Sequence, residues 1–161
     1  MTSNEDLTII RGILSSADTA IVTTRSHGQL VSRPLSLQDQ DEFDGTLWFL
    51  VEDPSPKTDD VRRHSEVNVS IADSKGYLSM SGNAAVDRDQ VRIDYLWSGI
   101  AESFFDGKTK DDPSIALLRV DVETVEYWDL SKPAVAKAFE FVKGLVTKTE
   151  PDVGENHTVA L

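Results

Sequence analysis

The stretch that decides the fold is EVNVSIADSKGYLSMSGNAAV, residues 66–86. Val67, Val69 and Ile71 fall on one face of an extended chain, and Asn68, Ser70 and Ala72 on the other. Ser74-Lys75-Gly76 turns the chain, and 77–86 runs back as a second strand. A link this short joins antiparallel strands; a parallel return would need a crossover of a dozen or so residues.

The same logic extends in both directions. Upstream, TLWFLVE (46–52) is a continuous apolar run, which predicts a strand buried on both faces. The segments 17–25 and 29–37 read as strands around the turn Ser26-His27-Gly28. Pro34 interrupts the second of them and argues for an edge position or a break in the ladder. Residues 3–16 form an amphipathic helix, with Leu7, Ile10 and Leu14 on one face and a capping-box spacing between Ser3 and Asp6. Residues 57–64 read as a short helix with Thr58 as a cap.

Downstream, Asp87 and Gln90 open a helix reaching about Trp97, and 98–113 reads as a loop. Two strands follow, 115–122 and 124–130. Ser131 and Pro133 begin a last helix with Val135, Phe139 and Val142 on its apolar face. This makes one domain over 1–146, followed by a tail, 147–161, expected to be mobile. Seven strands joined mostly by short turns, with four helices, predict an α+β fold: an antiparallel sheet closed into a small barrel with flanking helices.

Composition narrows the function. The chain has no cysteine, which excludes a disulfide scaffold, a thiolate metal site and a cysteine nucleophile. His27, His64 and His157 are too dispersed for a histidine metal site, and no metal is expected. Acidic residues outnumber basic ones by 28 to 16, and the resulting charge of -12 opposes nucleic acid and anionic membranes as partners. No apolar run approaches the roughly 18 residues that span a bilayer, and the polar N-terminus is unlike a signal peptide. A cytoplasmic location is the expectation.

There is no P-loop, no dinucleotide fingerprint and no nucleophile elbow. The carboxylates of 38–60 read as a solvated acidic face, without the register of a calcium loop. Two short constellations are more informative. Ser32-Arg33-Pro34-Leu35 puts an arginine inside a strand, and Ser55-Pro56-Lys57 puts a lysine at the start of a helix. They form either an anion site, with helix N–H groups and an arginine fork, or two surface charges balancing nearby acids. Tyr77, Ser79 and Ser81 share one face of their strand, which suits solvent, a subunit contact or a ligand wall. Trp97 and Trp128 read as core or interface residues.

Taken in order, several motifs resemble the general stress protein 26 group of the pyridoxamine 5′-phosphate oxidase-like, FMN-binding split-barrel family. They are Val31-Ser32-Arg33-Pro34-Leu35, Leu47-Trp48-Phe49-Leu50-Val51, Ser55-Pro56-Lys57 and Gly76-Tyr77-Leu78-Ser79-Met80-Ser81-Gly82. Leu96-Trp97, Phe105-Asp106-Gly107, Asp112-Pro113 and Glu126-Tyr127-Trp128-Asp129 complete the set, which covers about residues 5–145.

The resemblance implies a six- to seven-stranded split β-barrel that forms a homodimer with FMN at the interface. It implies that Arg33, Ser55 and Lys57 bind the FMN phosphate. Pro34, Leu35, Phe49, Leu50 and Val51 would run along the ribityl chain and ring, while Tyr77, Ser79 and Trp128 would close the site from the other subunit. The implied role is flavin-dependent redox chemistry on an unassigned substrate; the alternative is an FMN carrier or stress-associated protein that does not turn over.

Three departures stand out. Val51 takes the place of a hydroxyl that many relatives carry, at a typical cost of about 0.5–1.5 kcal/mol for the lost bond. Phe104 stands where relatives often have a tryptophan. The C-terminal arginine-and-histidine motif of the true oxidases is absent, as no arginine follows Arg119, so oxidation of pyridoxamine 5′-phosphate is not expected.

Overall fold

The computed structural model describes residues 3–37, 43–131 and 157–161. Helix α1 (Asn4–Leu14) is started by the predicted capping box: the Asp6 N–H donates to Ser3 Oγ at 3.0 Å, and the Ser3 N–H donates to the Asp6 carboxylate at 3.1 Å. Its buried residues are Ile10, Ile13 and Leu14. Strands β1 (Thr19–Ser26) and β2 (Gln29–Ser36) pair antiparallel about His27-Gly28, both at positive φ. Glycine takes that conformation freely; a histidine does so at a cost.

Strand β3 (Thr46–Glu52) leads through a short loop to α2 (Pro56–Arg63). The decisive hairpin is β4 (Glu66–Asp73) with β5 (Gly76–Asp87), joined by two residues. Gly76 carries no side chain because a Cβ there would run into the Trp128 carbonyl and Ile13. Helices α3 (Gln90–Leu96) and α4 (Gly99–Phe104) precede β6 (Ile115–Asp129), and β7 (His157–Ala160) pairs with β6.

The antiparallel strand order is β2-β1-β4-β5-β6-β3, with β7 on β6. Pro34 sits on β2, an edge strand, where its missing N–H costs no ladder bond on the outer side. The sheet curls until its two edge strands, β2 and β3, line one cleft, which gives the expected α+β split barrel with flanking helices.

The barrel interior holds Leu47, Phe49 and Val51 of β3 together with Val69, Met80 and Leu118. Leu50 points the other way, into a second apolar cluster with Ile93, Leu96, Ala101 and Phe105. The TLWFLVE run is therefore buried on both faces, as read.

Several boundaries differ from the sequence reading. Ser55, not Thr58, is the N-cap of α2. Asp89, not Asp87, caps α3, since β5 extends through Asp87. The segment 98–113 contains α4. The two strands read at 115–122 and 124–130 are one strand with an irregularity, in which Gly82 faces Val122 and Ser81 faces Thr124, leaving Glu123 unmatched. That extra residue flips the in–out phase, so Val120 and Val122 are buried before it and Val125 and Tyr127 after it. The helix read from Ser131 and the start of the tail lie outside the described residues. The last part of that tail is the strand β7.

Candidate functional site

The cleft between the edge strands has a volume of about 910 Å³, within the range of small-ligand pockets. One side is formed by Pro34 and Leu35 of β2, and the floor by Leu50 and Val51 of β3. Tyr95, Trp97, Ile100 and Phe104 of the α3–α4 segment form the opposite wall. Trp97 is braced by Phe105, with ring centroids 5.5 Å apart. Phe104, the residue in place of a tryptophan, is 68% exposed and stands at the rim.

Lys57 supplies the cationic end. It is half-buried in the first turn of α2, and no ion-pair partner lies within reach among the described residues. Burial pushes its pKa below the ordinary lysine range, and the nearby Arg33 charge pushes in the same direction against the pull of Glu52. Glu52 is itself engaged with Lys108 at 2.9 Å.

Arg33 does not line the cleft, although its neighbours Pro34 and Leu35 do. Its guanidinium donates from Nη1 to Thr24 Oγ1 at 2.8 Å and from Nη2 to Asp60 Oδ2 at 3.1 Å. Asp60 and Thr24 are both buried. Burial by itself would raise the Asp60 pKa, but hydrogen bonds from Ser26, Arg33 and Thr24 outweigh it and hold the carboxyl below its usual range.

Ser55 caps α2 two residues before Lys57. Its backbone N–H donates to Thr58 Oγ1 at 2.9 Å, and the Thr58 hydroxyl donates back to the Ser55 carbonyl at 2.9 Å. This closed turn fixes where Lys57 leaves the backbone. On its other side, Asp53 is held by both Arg62 and Arg88 at 2.6 Å. Lys57 on the lining, Arg33 beside it and the apolar and aromatic walls suit a phosphorylated ligand with a flat, apolar body, while Asp18 and Glu52 add acidic groups to the same cleft.

The remaining sequence candidates divide. Phe49 is fully buried in the barrel interior and does not line the cleft. Tyr77 and Trp128 stand opposite each other on β5 and β6, and Ser79 accepts a 3.0 Å hydrogen bond from Asn68. None of these three lines the cleft of its own chain.

The sequence reading missed Thr24 and Asp60 as partners of Arg33, along with the α4 wall. The wall did leave a signal. Ser98 is a good cap whose Oγ accepts from the Ala101 N–H at 3.2 Å, and Ile100 and Phe104 are four apart.

Among the described residues no His, Cys, Asp and Glu group is arranged to hold a metal ion, and no helix is long and apolar enough to cross a membrane.

Comparison with known proteins agrees with this geometry. A family model described as "Pyridoxamine 5'-phosphate oxidase like" matches residues 5–152. Protein bli-3 of Neurospora crassa is 29% identical over 150 residues, covering 86% of this chain and 71% of that protein. In fold, the chain is similar to a Clostridium acetobutylicum protein related to general stress protein 26, with TM-score 0.72, 13% identity and coverage of 99% and 97% of the two chains. It is also similar to the general stress FMN/FAD binding protein of Xanthomonas citri, with TM-score 0.67, 22% identity and coverage of 78% and 90%.

Proposed function

The chain belongs to the pyridoxamine 5′-phosphate oxidase-like family, and from that premise we propose that it is an FMN-binding homodimer with a flavin-dependent redox role. The observation that carries this reading is Lys57, half-buried beside Arg33 in a cleft walled by apolar and aromatic side chains, with the carboxylates of Asp18 and Glu52 also on its lining. Arg33 is paired with Asp60 but keeps further donors, and Lys57 stands beside it, so the two suit an anion beside the cleft. The phosphate of FMN meets that need.

Lys57, Arg33 and Ser55 hold the phosphate. Pro34, Leu35, Leu50 and Val51, with the backbone at Phe49, run beside the ribityl chain and the ring. The aromatic side chains of Trp97 and Phe104 on the lining suit an aromatic ligand in the same cleft. Tyr77, Ser79 and Trp128 act on the site of the partner subunit, a reading that fits their place off the lining of their own chain's cleft. When bound, FMN supplies the electron-transfer chemistry, and the protein supplies binding and orientation. A flavin-binding relative in name, the Xanthomonas citri protein, favours the same ligand class.

The test is the visible spectrum of the purified protein before and after addition of FMN. Flavin bands near roughly 370 and 450 nm that travel with the protein through gel filtration are expected. No retained flavin under excess FMN overturns the reading. Bleaching of those bands by a reduced nicotinamide under anaerobic conditions distinguishes a redox enzyme from an FMN carrier.

A further inference from the structure

Building on the phosphate reading above, we infer that Asp60, with Thr24, is a positioning residue: its buried carboxylate fixes the Arg33 guanidinium for a phosphate and ties β2 to the helix that carries Lys57. Asp60 lies one turn after Lys57 on α2 and is 3% exposed. Its Oδ2 accepts from Arg33 Nη2 at 3.1 Å and from Thr24 Oγ1 at 3.1 Å. The Thr24 hydroxyl in turn accepts from Arg33 Nη1 at 2.8 Å.

Three elements therefore meet at one carboxylate: β1 through Thr24, β2 through Arg33 and α2 through Asp60 itself. Among the described residues these bonds use one N–H on each Nη of the guanidinium and leave its other donors for a ligand. A carboxylate is costly to bury, and this one is kept ionised by its partners. An arginine fixed before the ligand arrives spares binding the rotamer entropy of ordering it.

Electrostatics alone makes the opposite forecast. A negative Asp60 opposes a phosphate, so removing its charge would tighten binding if orientation did not matter. The sign of the effect therefore separates the two accounts.

The experiment measures the affinities of FMN and riboflavin, which differ in the phosphate, for the full chain and for Asp60→Asn and Thr24→Val. The wild type is expected to prefer FMN. Asp60→Asn is expected to lose about tenfold or more in FMN affinity while its riboflavin affinity stays unchanged. Thr24→Val keeps the carboxylate and is expected to show the same selective loss, to a smaller extent, which covers the case in which Asp60→Asn folds poorly. A general structural defect would move both ligands together, so the ratio is the diagnostic quantity. A folded variant that keeps or raises the wild-type preference for FMN overturns the inference. A wild type that binds riboflavin as tightly as FMN overturns the phosphate reading on which it rests.

Discussion

The phenol of Tyr127 donates a 2.6 Å hydrogen bond to the Asp6 carboxylate, joining β6 to the first turn of α1 across 121 positions of sequence. The same carboxylate receives the Ser3 hydroxyl at 2.6 Å, so one side chain both caps the helix and docks it on the barrel. His157 of β7 stacks on the Tyr127 ring at 5.3 Å, bringing both ends of the chain to this point.

Tyr127→Phe keeps the ring and removes the bond. A hydrogen bond to a charged group contributes about 1.5–3 kcal/mol, and the Asp6 end is only partly buried, so a loss of about 1 kcal/mol is expected in urea melts. Hydrogen bonds from Ser3 and then Tyr127 hold the Asp6 pKa below its ordinary value. A depressed folded-state pKa stabilises the fold above the unfolded value of roughly 3.9 and loses that contribution as pH falls through the folded one. The gap between Tyr127→Phe and the wild type should therefore close in strong acid. A gap that is constant between neutral pH and acid would sink this account.

Asp53 lies between two arginines. Arg62 grips it with two bonds, at 2.6 and 2.8 Å, and Arg88 adds a third at 2.6 Å. The Arg62 bond comes first in holding its pKa far below the carboxylate range, and outweighs the opposing effect of burial. Breaking a wholly buried pair costs roughly 3–5 kcal/mol; both arginines here are half-exposed, so Asp53→Asn should cost about 2 kcal/mol at neutral pH. The contribution persists above the unfolded pKa and fades only as pH drops toward the much lower folded one. Paired melts at neutral and acid pH check both the size and the direction.

Gly82 sits where β5 crosses the irregularity in β6. A Cβ at this position would meet the Asp121 carbonyl and the Val122 backbone, neither of which is a flexible side-chain end. Gly82→Ala should cost about 2 kcal/mol, in the range of overpacked sites. Gly12, on the helix surface with open space around it, is the control: Gly12→Ala should be neutral or mildly stabilising. Equal melting midpoints for the two variants would contradict the packing argument.

These particulars also explain what sequence could reveal. The β4–β5 hairpin was legible because alternation and a two-residue turn are local signals. The run through Phe49 is legible because its shortness and the turn residues that bound it, Asp44-Gly45 and Asp53-Pro54, decide for a strand where apolarity alone does not. The sequence pattern divides β6 in two because its phase flips at Glu123. β7 has one buried residue, Val159, and its existence rests on pairing with a distant strand. At the site, Arg33, Ser55 and Lys57 stood out as charges and a cap beside turns in an acidic chain. Asp60 did not, because burial of one carboxylate among many is decided by tertiary packing.

Removal of either cation tests the cleft. Arg33→Ala and Lys57→Ala should each weaken FMN binding by about tenfold or more in isothermal titration, since each deletes a charged partner of the phosphate. The affinity of the wild type should also fall with added salt, and that slope should flatten in both variants. Unchanged affinity in both would return the two residues to ordinary surface charges.

The sheet face of Tyr77, Ser79 and Trp128 carries the last prediction. Ser70 and Ser79 stand opposite each other there, Asn68 bonds to both Ser79 and Ser81, and Ile21 is 41% exposed beside them. Small side chains on this face let a second sheet approach closely, and the same face holds the site candidates that do not line the cleft of their own chain. Light scattering at micromolar concentration should give twice the 17.8 kDa chain mass. Ser79→Arg should shift that mass toward the monomer and lower FMN affinity together, because one substitution removes both the contact and the partner's share of the site. A monomeric Ser79→Arg protein with full FMN affinity would show that each chain completes its own cleft.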